Sequence, residues 1–524
     1  MKTKLKIAFA SLLMLCIAVS GFATGASDSG SSSGLVTIEL WYGLSVTEAS
    51  SPPADWIVLQ KIRDELGIDL KLTALPSNEN DARTKLLAAG ASNSLPDLFQ
   101  VDRQGWLSLI NQRLIAPVDN LYTMMPQRSR QMYDAEARAY STINGVSYGF
   151  ANTSTIPRNE GLVIRKDWLD KLGLAIPRTS EELFTVMKAF TERDPDGNGR
   201  ADTYGFGAFL ETTMPYEAGL GRRFDPIMGA FGVAGIWNLD SRNPGFAINN
   251  PAYFDALTYV KRMIDERVID PAWETLSKDD FRAAWKQGRF GIMREQMAAL
   301  LALANYAPFD QNFPNGEWIV LDPPAGPQGL SSVGVFPKPY RMYAVSQRAV
   351  NAGKGAKIAE LLEWMSTKGY HEIGWGVEGV NFRFGPDGAP TTEGISQNLR
   401  FDSPYIVNIT QLRNMVFYNS DIEILARYPT YTTAVSRKVI NIQSVLAQMM
   451  AKPWTRNDGA NLLPMPNADV QRFYEQGILE FVKGTRQLTR ANWDAWVAEF
   501  KNSRGGSAWE TAAINYARQE GYLY

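Results

Sequence analysis

Val36-Thr37-Ile38-Glu39-Leu40-Trp41-Tyr42 alternates apolar and polar side chains and is rich in β-branched and aromatic residues, so it reads as a strand. A helical pattern follows through Trp56, Ile57, Leu59, Ile62 and Leu66, and Gly67 stands where a helix end favours a left-handed residue. Ile68-Asp69-Leu70-Lys71-Leu72 reads as a second strand, residues 80–89 as a second helix, and Pro96-Asp97-Leu98-Phe99-Gln100-Val101 as a third strand. Strand, helix, strand, helix, strand with short links predicts parallel pairing and an α/β lobe. In open α/β sheets, ligands bind beyond the carboxyl ends of the strands. That rule selects Trp41, Tyr42 and Gly43, then Ser77 and Asn78, then Asp102 and Arg103 as candidate ligand-binding residues.

Further along, residues 145–152 read as a strand leaving this lobe, which adds Asn152 to the candidates. Leu162-Val163-Ile164-Arg165 is another strand, followed by a helix carrying Trp168 and Leu172. Thr179-Ser180-Glu181-Glu182 opens a helix with capping residues and acids in its first turn. From there to about residue 330 helices dominate with few strand signals, until Tyr340-Arg341-Met342-Tyr343-Ala344-Val345 restores the β pattern. The remainder, to Tyr524, is mostly helical. A chain of 524 residues exceeds what one core usually covers, so two domains are expected.

Lys2, Lys4 and Lys6 precede an apolar run from Ile7 to Val19, and Gly21-Phe22-Ala23 offers small residues for a signal peptidase. Residues 1–23 are therefore expected to be a signal peptide, and the Gly/Ser-rich residues 24–34 a flexible linker. Cys16 raises a lipid anchor, but Met14 and Leu15 stand where a lipobox wants small residues, so cleavage near Ala23 is the favoured reading. No later apolar stretch reaches the roughly 18 residues a spanning helix needs, and the exported chain is expected to be soluble.

Charged residues are 21% of the chain and hydrophobic ones 45%, an ordinary globular balance. The 53 Lys and Arg against 55 Asp and Glu give a net charge of -2, which argues against a nucleic-acid partner and against a strongly charged ligand. A single His (His371, read as a surface residue on a helix) and a single Cys remove Cys/His zinc sites and Ser-His-Asp triads. Carboxylate-pair catalysis stays open, which keeps a secreted glycoside hydrolase as the rival reading.

Asp194-Pro195-Asp196-Gly197-Asn198-Gly199-Arg200-Ala201-Asp202 has the spacing of a calcium loop. Asp194, Asp196, Asn198 and Asp202 supply side-chain oxygens at positions 1, 3, 5 and 9, with Gly199 at 6 and the Arg200 carbonyl at 7. Gly205 replaces the usual position-12 Glu, so Thr203 or a water has to complete a structural Ca²⁺ shell; a metal-free Asx turn is the plainer alternative. Trp375, in Gly374-Trp375-Gly376-Val377-Glu378-Gly379-Val380-Asn381-Phe382, is either a sugar-stacking platform with Glu378 or Asn381 beside it, or the plug of a Gly-rich turn. Trp237 in Gly235-Ile236-Trp237-Asn238 is a similar case, whereas Trp285, Trp493, Trp496 and Phe500 have helical spacing and read as core.

Taken in order, several segments resemble the extracellular solute-binding proteins of family 1, the substrate-capturing subunits of ABC importers. They are Asn144–Gly149, Arg165–Gly173, the Asp194–Asp202 loop, Lys286–Met293, the Trp375 segment, Phe481–Thr485 and Trp493-Asp494. The nearest-looking members are the large alginate-oligosaccharide-binding periplasmic proteins. The resemblance implies a periplasmic-binding-protein-like fold: two lobes joined by a hinge, an interlobe ligand cleft, and a helix-rich second lobe. It places residues 35–150 and 335–400 in the N-terminal lobe and 151–334 and 401–524 in the C-terminal lobe. It also implies a calcium loop in the second lobe with Asp194, Asp196, Asn198, the Arg200 carbonyl, Asp202 and Thr203 as ligands. The expected function is capture of a sugar or oligosaccharide by a non-enzymatic monomer, with ABC permease subunits or a chemoreceptor as partner.

Overall fold

Two sheets carry the architecture, and the chain visits them in the order first, second, first. Val36–Gly43 (β1), Ile68–Leu75 (β2), Leu98–Val101 (β3) and Phe150–Thr153 (β4) enter the first sheet. Glu160–Arg165 (β5), Tyr204–Gly207 (β6), Phe290–Gln296 (β7) and Trp318–Leu321 (β8) form the second. Tyr340–Val345 (β9) then returns to the first. The structure, a computed structural model, describes residues 34–524 except 45–49, 129–134, 154–157, 212–218, 337, 339, 387, 402, 404–406, 417–425 and 429. The expected signal peptide, Cys16 and all of the linker but Gly34 lie outside the described residues.

The first sheet has the order β2-β1-β3-β9-β4. β1 pairs in parallel with β2, Val36 beside Ile68, and with β3, Leu40 beside Leu98, as the strand-helix alternation predicts. Ile38, Leu40 and Tyr42 point to one face, where Val58 and Ile62 of the helix Ile57–Leu66 (α1) cover them. Gly67 ends α1 at φ 66°, its N–H reaching Arg63 O at 2.9 Å. Leu86 of the helix Glu79–Ala91 (α2) covers the other face with Phe99 and Val101. Each such aliphatic side chain taken from water contributes about 1.5–3 kcal/mol.

β9 is antiparallel to both neighbours, Met342 beside Val101 and Tyr340 beside Thr153. The first core also takes Leu361 and Met365 from the helix Gly355–Ser366, and Leu412, Met415 and Val416 from beyond residue 400. β4 through Thr153 thus belongs to the first sheet, and side chains from beyond residue 400 pack on its core. Leu412, Met415 and Val416 stand three and four residues apart at the end of the 3₁₀ segment Val407–Met415, a spacing that marks a helical face but not the core it joins.

The second sheet has the order β8-β5-β7-β6; β5 contains the strand expected at Leu162-Val163-Ile164-Arg165, while β6, β7 and β8 lie in the region read as helical. β5 is antiparallel to β7 and to β8, while β7 and β6 are parallel. All six residues of β5 are buried, and β7 is buried from Phe290 to Glu295. A strand covered on both faces has no alternation to read, and Arg294-Glu295 inside β7 disguises it further. The helix Ser180–Glu192 (α4) behaves as expected: Thr179 and Glu182 form a reciprocal capping box, and Leu183, Met187 and Phe190 enter the core. Trp285, Trp493, Trp496 and Phe500 are core residues. His371 lies on the helix Tyr370–Trp375, half-buried against Phe382 and Phe384. Among the described residues no helix is long and apolar enough to cross a membrane.

Candidate functional site

β1, β2, β3 and β4 run the same way, so their carboxyl ends and the start of β9 share one edge of the first sheet. Asn78 caps α2, its Oδ1 accepting from the N–H groups of Asn80 and Asp81 at 2.9 and 3.2 Å. Asp102 caps the helix Arg103–Asn111 (α3), accepting from Gly105 N–H at 2.8 Å, and also accepts from Arg83 Nε at 2.6 Å. Arg103 donates to Tyr140 O at 2.5 Å, its guanidinium 4.9 Å from the Tyr140 ring centre. Trp41 is half-buried with Lys85 Nζ 4.7 Å from its ring. Thus Trp41, Asn78, Asp102 and Arg103 do gather at this edge. Tyr42 does not: it is fully buried among Ile38, Leu40 and Val58, because alternation along β1 turns it into the core. Asn152 sits at the edge but is buried, donating to Met415 O at 3.3 Å.

The edge of the second sheet where β5 begins and β7 ends is built of charge. Glu160 stands opposite Gln296 and Glu295 opposite Gly161. Arg294, wholly buried, meets Asp225 at 3.0 Å and Glu160 at 3.2 Å. Arg223 and Arg282 meet Glu295 at 3.3 and 3.2 Å, and Arg222 joins Glu160 at 3.2 Å to Glu211 at 2.7 Å. Burial pushes the Glu211 and Glu295 carboxyls up, but their arginines prevail. Arg222 and Arg223 hold Glu211, and Arg282 and Arg223 hold Glu295, each at about 2. The network leaves the Arg222–Glu211 pair partly exposed at the surface of the lobe.

The two edges meet. Ser77 Oγ, just past β2, donates to Asp279 Oδ2 at 2.8 Å on the helix Lys278–Lys286 (α5). Lys278 is influenced by both Glu79 of the first edge and Glu211 of the second. Glu475, on the helix Ala468–Lys483, is pushed up to about 7 by burial, with the hydrogen bond from Gln471 and the charge of Arg83 opposing. Tyr516 and Tyr522 pack against the cores on both sides. Sequence reasoning found Ser77 from the strand-end rule but missed Glu211, Arg222, Lys278 and Arg341. A cation inside the apolar strand Tyr340–Val345 was the one available signal.

The Gly-flanked tryptophans lie elsewhere. Trp237 is 2% exposed, stacked on Phe246 at 4.5 Å and against Trp509 at 5.3 Å, which makes it a core residue. Trp375 is fully buried with Phe401 at 4.4 Å and the Arg427 guanidinium 4.5 Å from its ring. Asn381 accepts from Val377 N–H and donates to Leu399 O, both at 2.8 Å, closing the turn that Gly376 opens at φ 91°. Glu378 is exposed on that turn. Trp375 is thus the plug of a turn, and Glu378 and Asn381 flank it without a ring face to share.

The acidic loop follows α4. Asp194 Oδ1 accepts from the N–H groups of Gly197 and Asn198 and Oδ2 from Gly199, each at 3.0 Å. Asn198 Nδ2 donates to Asp196 at 2.8 Å and to Asp202 at 3.2 Å. Asp196 is pushed up, first by burial and then by Asp194, which lies within hydrogen-bonding reach. Three carboxylates and an amide oxygen suit a hard cation, whose charge would offset the repulsion among the aspartates. Among the described residues, however, no three acidic side chains converge on one point; the Asn198 amide bridges them instead. Thr203 Oγ1 donates to Phe190 O at 2.9 Å and is buried, so its side chain is turned away from the loop. A Cβ on Gly205 would fall 2.2 Å from Met187 O, which excludes any side-chain ligand at position 12.

Two lobes, each an α/β sheet with both faces covered and the two joined by repeated crossings, with polar edges opposed, define a two-lobed binding protein. The sequence matches the family model described as bacterial extracellular solute-binding protein over residues 57–372, and the chain belongs to that family. It is a binding protein and not an enzyme, so the hydrolase reading is set aside. The polygalacturonan/rhamnogalacturonan-binding protein YtcQ of Bacillus subtilis is 24% identical over 393 residues, 72% of this chain and 74% of that one. The fructooligosaccharide ABC transporter substrate-binding protein FusA of Streptococcus pneumoniae is 27% identical over 317 residues, 55% of this chain and 54% of the relative. Among solved structures, FusA in complex with kestose superposes with a TM-score of 0.69 at 17% identity, covering 93% of this chain and 100% of that one. The alginate-binding protein AlgQ2 without calcium ion gives 0.66 at 17% identity, covering 92% and 98%. These likenesses establish the bilobal α/β fold.

Proposed function

We propose that the chain captures a carbohydrate, an oligosaccharide in particular, in the cleft between the two sheet edges and closes on it for delivery to an ABC importer. The observation that carries this reading is the opposition of the two polar edges at Ser77 and Asp279, with partly exposed Arg222, Glu211, Asp102 and Arg103 beside them. Such side chains bond hydroxyls, and Trp41 offers an aromatic surface at the same edge. The polysaccharides and kestose named for YtcQ and FusA support a saccharide ligand. Binding energy shifts an open-closed equilibrium, and the closed form presents the surface a permease reads.

The same reading includes export by the signal peptide 1–23 to the periplasm or cell-envelope exterior, with residues 24–34 as a linker and no lipid at Cys16. It also includes a structural calcium ion held by Asp194, Asp196, Asn198, the Arg200 carbonyl and Asp202, for which the donor chemistry is the support. When bound, the cation would neutralise the aspartates and staple the turn. Isothermal titration calorimetry over a panel of neutral and acidic oligosaccharides, with product analysis of each mixture, tests the function. One-to-one binding without new products is expected; the absence of binding across the panel overturns it.

A further inference from the structure

The strand order of the first sheet turns back at one place. From β1 the chain crosses to β2 through α1 on one face, and from β2 to β3 through α2 on the other, so that β1 lies between β2 and β3. Crossovers that leave by opposite faces open a crevice beyond the carboxyl ends of the strands between them. That crevice lies beyond β1 and β3. At its mouth stand Gly43, the last residue of β1, and Gln100, the next-to-last of β3.

Gln100 is held there from two sides. Its Oε1 accepts from Gly43 N–H at 3.1 Å and from the Tyr343 O–H of β9 at 3.0 Å. The Tyr343 ring is 1% exposed, and burial pushes its hydroxyl up, which keeps the proton in place for donation. A backbone N–H can only donate, so Oε1 must be the atom that meets Gly43 and the carboxamide has one orientation. Nε2 then keeps two protons to offer, and it donates to no group among the described residues. Gln100 itself is half-buried, not enclosed.

Gly43 is matched to this arrangement. A Cβ at position 43 would fall 2.7 Å from both Nε2 and Oε1 of Gln100 and 2.9 Å from its Cδ. Any side chain there would press on the carboxamide, so glycine is what lets the amide lie against the end of β1.

We propose that Gln100 is the hydrogen-bond donor at the floor of the sugar site, its Nε2 donating to an oxygen of the saccharide, while Gly43 and Tyr343 hold the amide in place for it. This rests on the carbohydrate reading above and adds to it a specificity-determining residue. A donor oriented in advance loses little side-chain freedom when the ligand arrives. It also disfavours a unit that brings no oxygen to that point, because closure would leave the amide without a partner.

The test is calorimetry on the full chain with kestose, with trigalacturonate and with the rest of the oligosaccharide panel. Gln100→Ala is expected to weaken the tightest binder by about 3–10-fold at unchanged stoichiometry. Gly43→Ala, which displaces the amide, should weaken it by a similar factor, and adding Gly43→Ala to Gln100→Ala should weaken it no further. Natural affinity in Gln100→Ala, or losses that multiply in the double variant, overturns the assignment and leaves carbohydrate capture standing. Failure of the natural chain to bind any sugar of the panel overturns both. A crystal structure of the natural chain with its tightest binder needs no variant to fold. A sugar oxygen within hydrogen-bonding distance of Gln100 Nε2 is expected there, and a complex whose sugar lies elsewhere overturns the assignment.

Discussion

Ser77 and Asp279, 202 residues apart in the chain, hydrogen-bond at 2.8 Å and tie the carboxyl edge of the first sheet to the first turn of α5 in the second lobe. A bond from a hydroxyl to a carboxylate across a closing cleft biases the open-closed equilibrium by about 1–2 kcal/mol. Ser77→Ala is therefore expected to weaken ligand affinity by up to roughly 5–30-fold and to enlarge the radius of gyration of the unliganded chain. Small-angle scattering with calorimetry checks both. No change in either would mean that the contact does not contribute to closure.

The acidic loop makes a separable claim. Asp194 caps three backbone N–H groups, so Asp194→Ala weakens the turn with or without metal. Asp202 meets the Asn198 side chain at 3.2 Å and makes no such backbone cap, which makes Asp202→Asn the discriminating variant. Calcium is expected to raise the melting temperature of the natural chain and chelator to lower it, with little response from Asp202→Asn. A melting temperature indifferent to chelator would leave an Asx turn and nothing more.

Glu475 gives a stability trend with a definite sign. Its folded carboxyl stands at about 7, above the ordinary value of 4.5, because burial outweighs the Gln471 hydrogen bond and the Arg83 charge. A raised carboxyl favours the fold below its unfolded value and loses that advantage as pH rises from 4.5 through 7. Glu475→Gln should therefore leave the melting temperature nearly unchanged at pH 4 and raise it at pH 8. A variant that is less stable at pH 8 contradicts the assignment.

Glu211 and Glu295 act in the opposite sense. Both are held at about 2, so their contribution is complete above the ordinary 4.5 and disappears as pH falls from there toward 2. Thermal unfolding followed between pH 5 and 2 should show a steep loss. Glu295→Gln, which strands Arg223 and Arg282, is expected to cost about 3–5 kcal/mol at neutral pH and to flatten that acid limb.

Trp237 and Trp375 serve packing. Trp237→Ala or Trp375→Ala is expected to cost about 3–5 kcal/mol of stability in denaturant titrations. Whatever folds should bind ligand as the natural chain does. A selective loss of affinity at full stability would restore either residue as a sugar platform.

What could be read in advance followed the physics of periodic exposure. β1 alternates, α1 stops at a left-handed glycine, and α4 begins with a capping box, so each announces itself locally. β5 is covered on both faces but its run Leu162-Val163-Ile164 still reads as a strand, whereas β7, with Arg294-Glu295 inside it, shows no period, and β6 is four residues with two glycines. The strand-end rule located Ser77, Asn78, Asp102 and Arg103, because an edge needs only topology. Lys278 and Glu211 come from distant segments whose approach depends on how the chain packs. The glycines around Trp375 signalled a close approach, but what approaches is the Asn381 side chain.

The return of β9 to the first sheet has a kinetic consequence. Tyr343 hydrogen-bonds Gln100 across 243 residues, and the second lobe's core likewise waits for Trp493, Trp496 and Phe500. Loop closure over such spans is entropically slow, and contacts this distant delay folding. The first sheet waits for β9 and the core of the second lobe waits for Phe500, so the newly made protein lacks a finished second core until nearly the whole chain has emerged. A core that closes this late suits an export route that threads unfolded polypeptide.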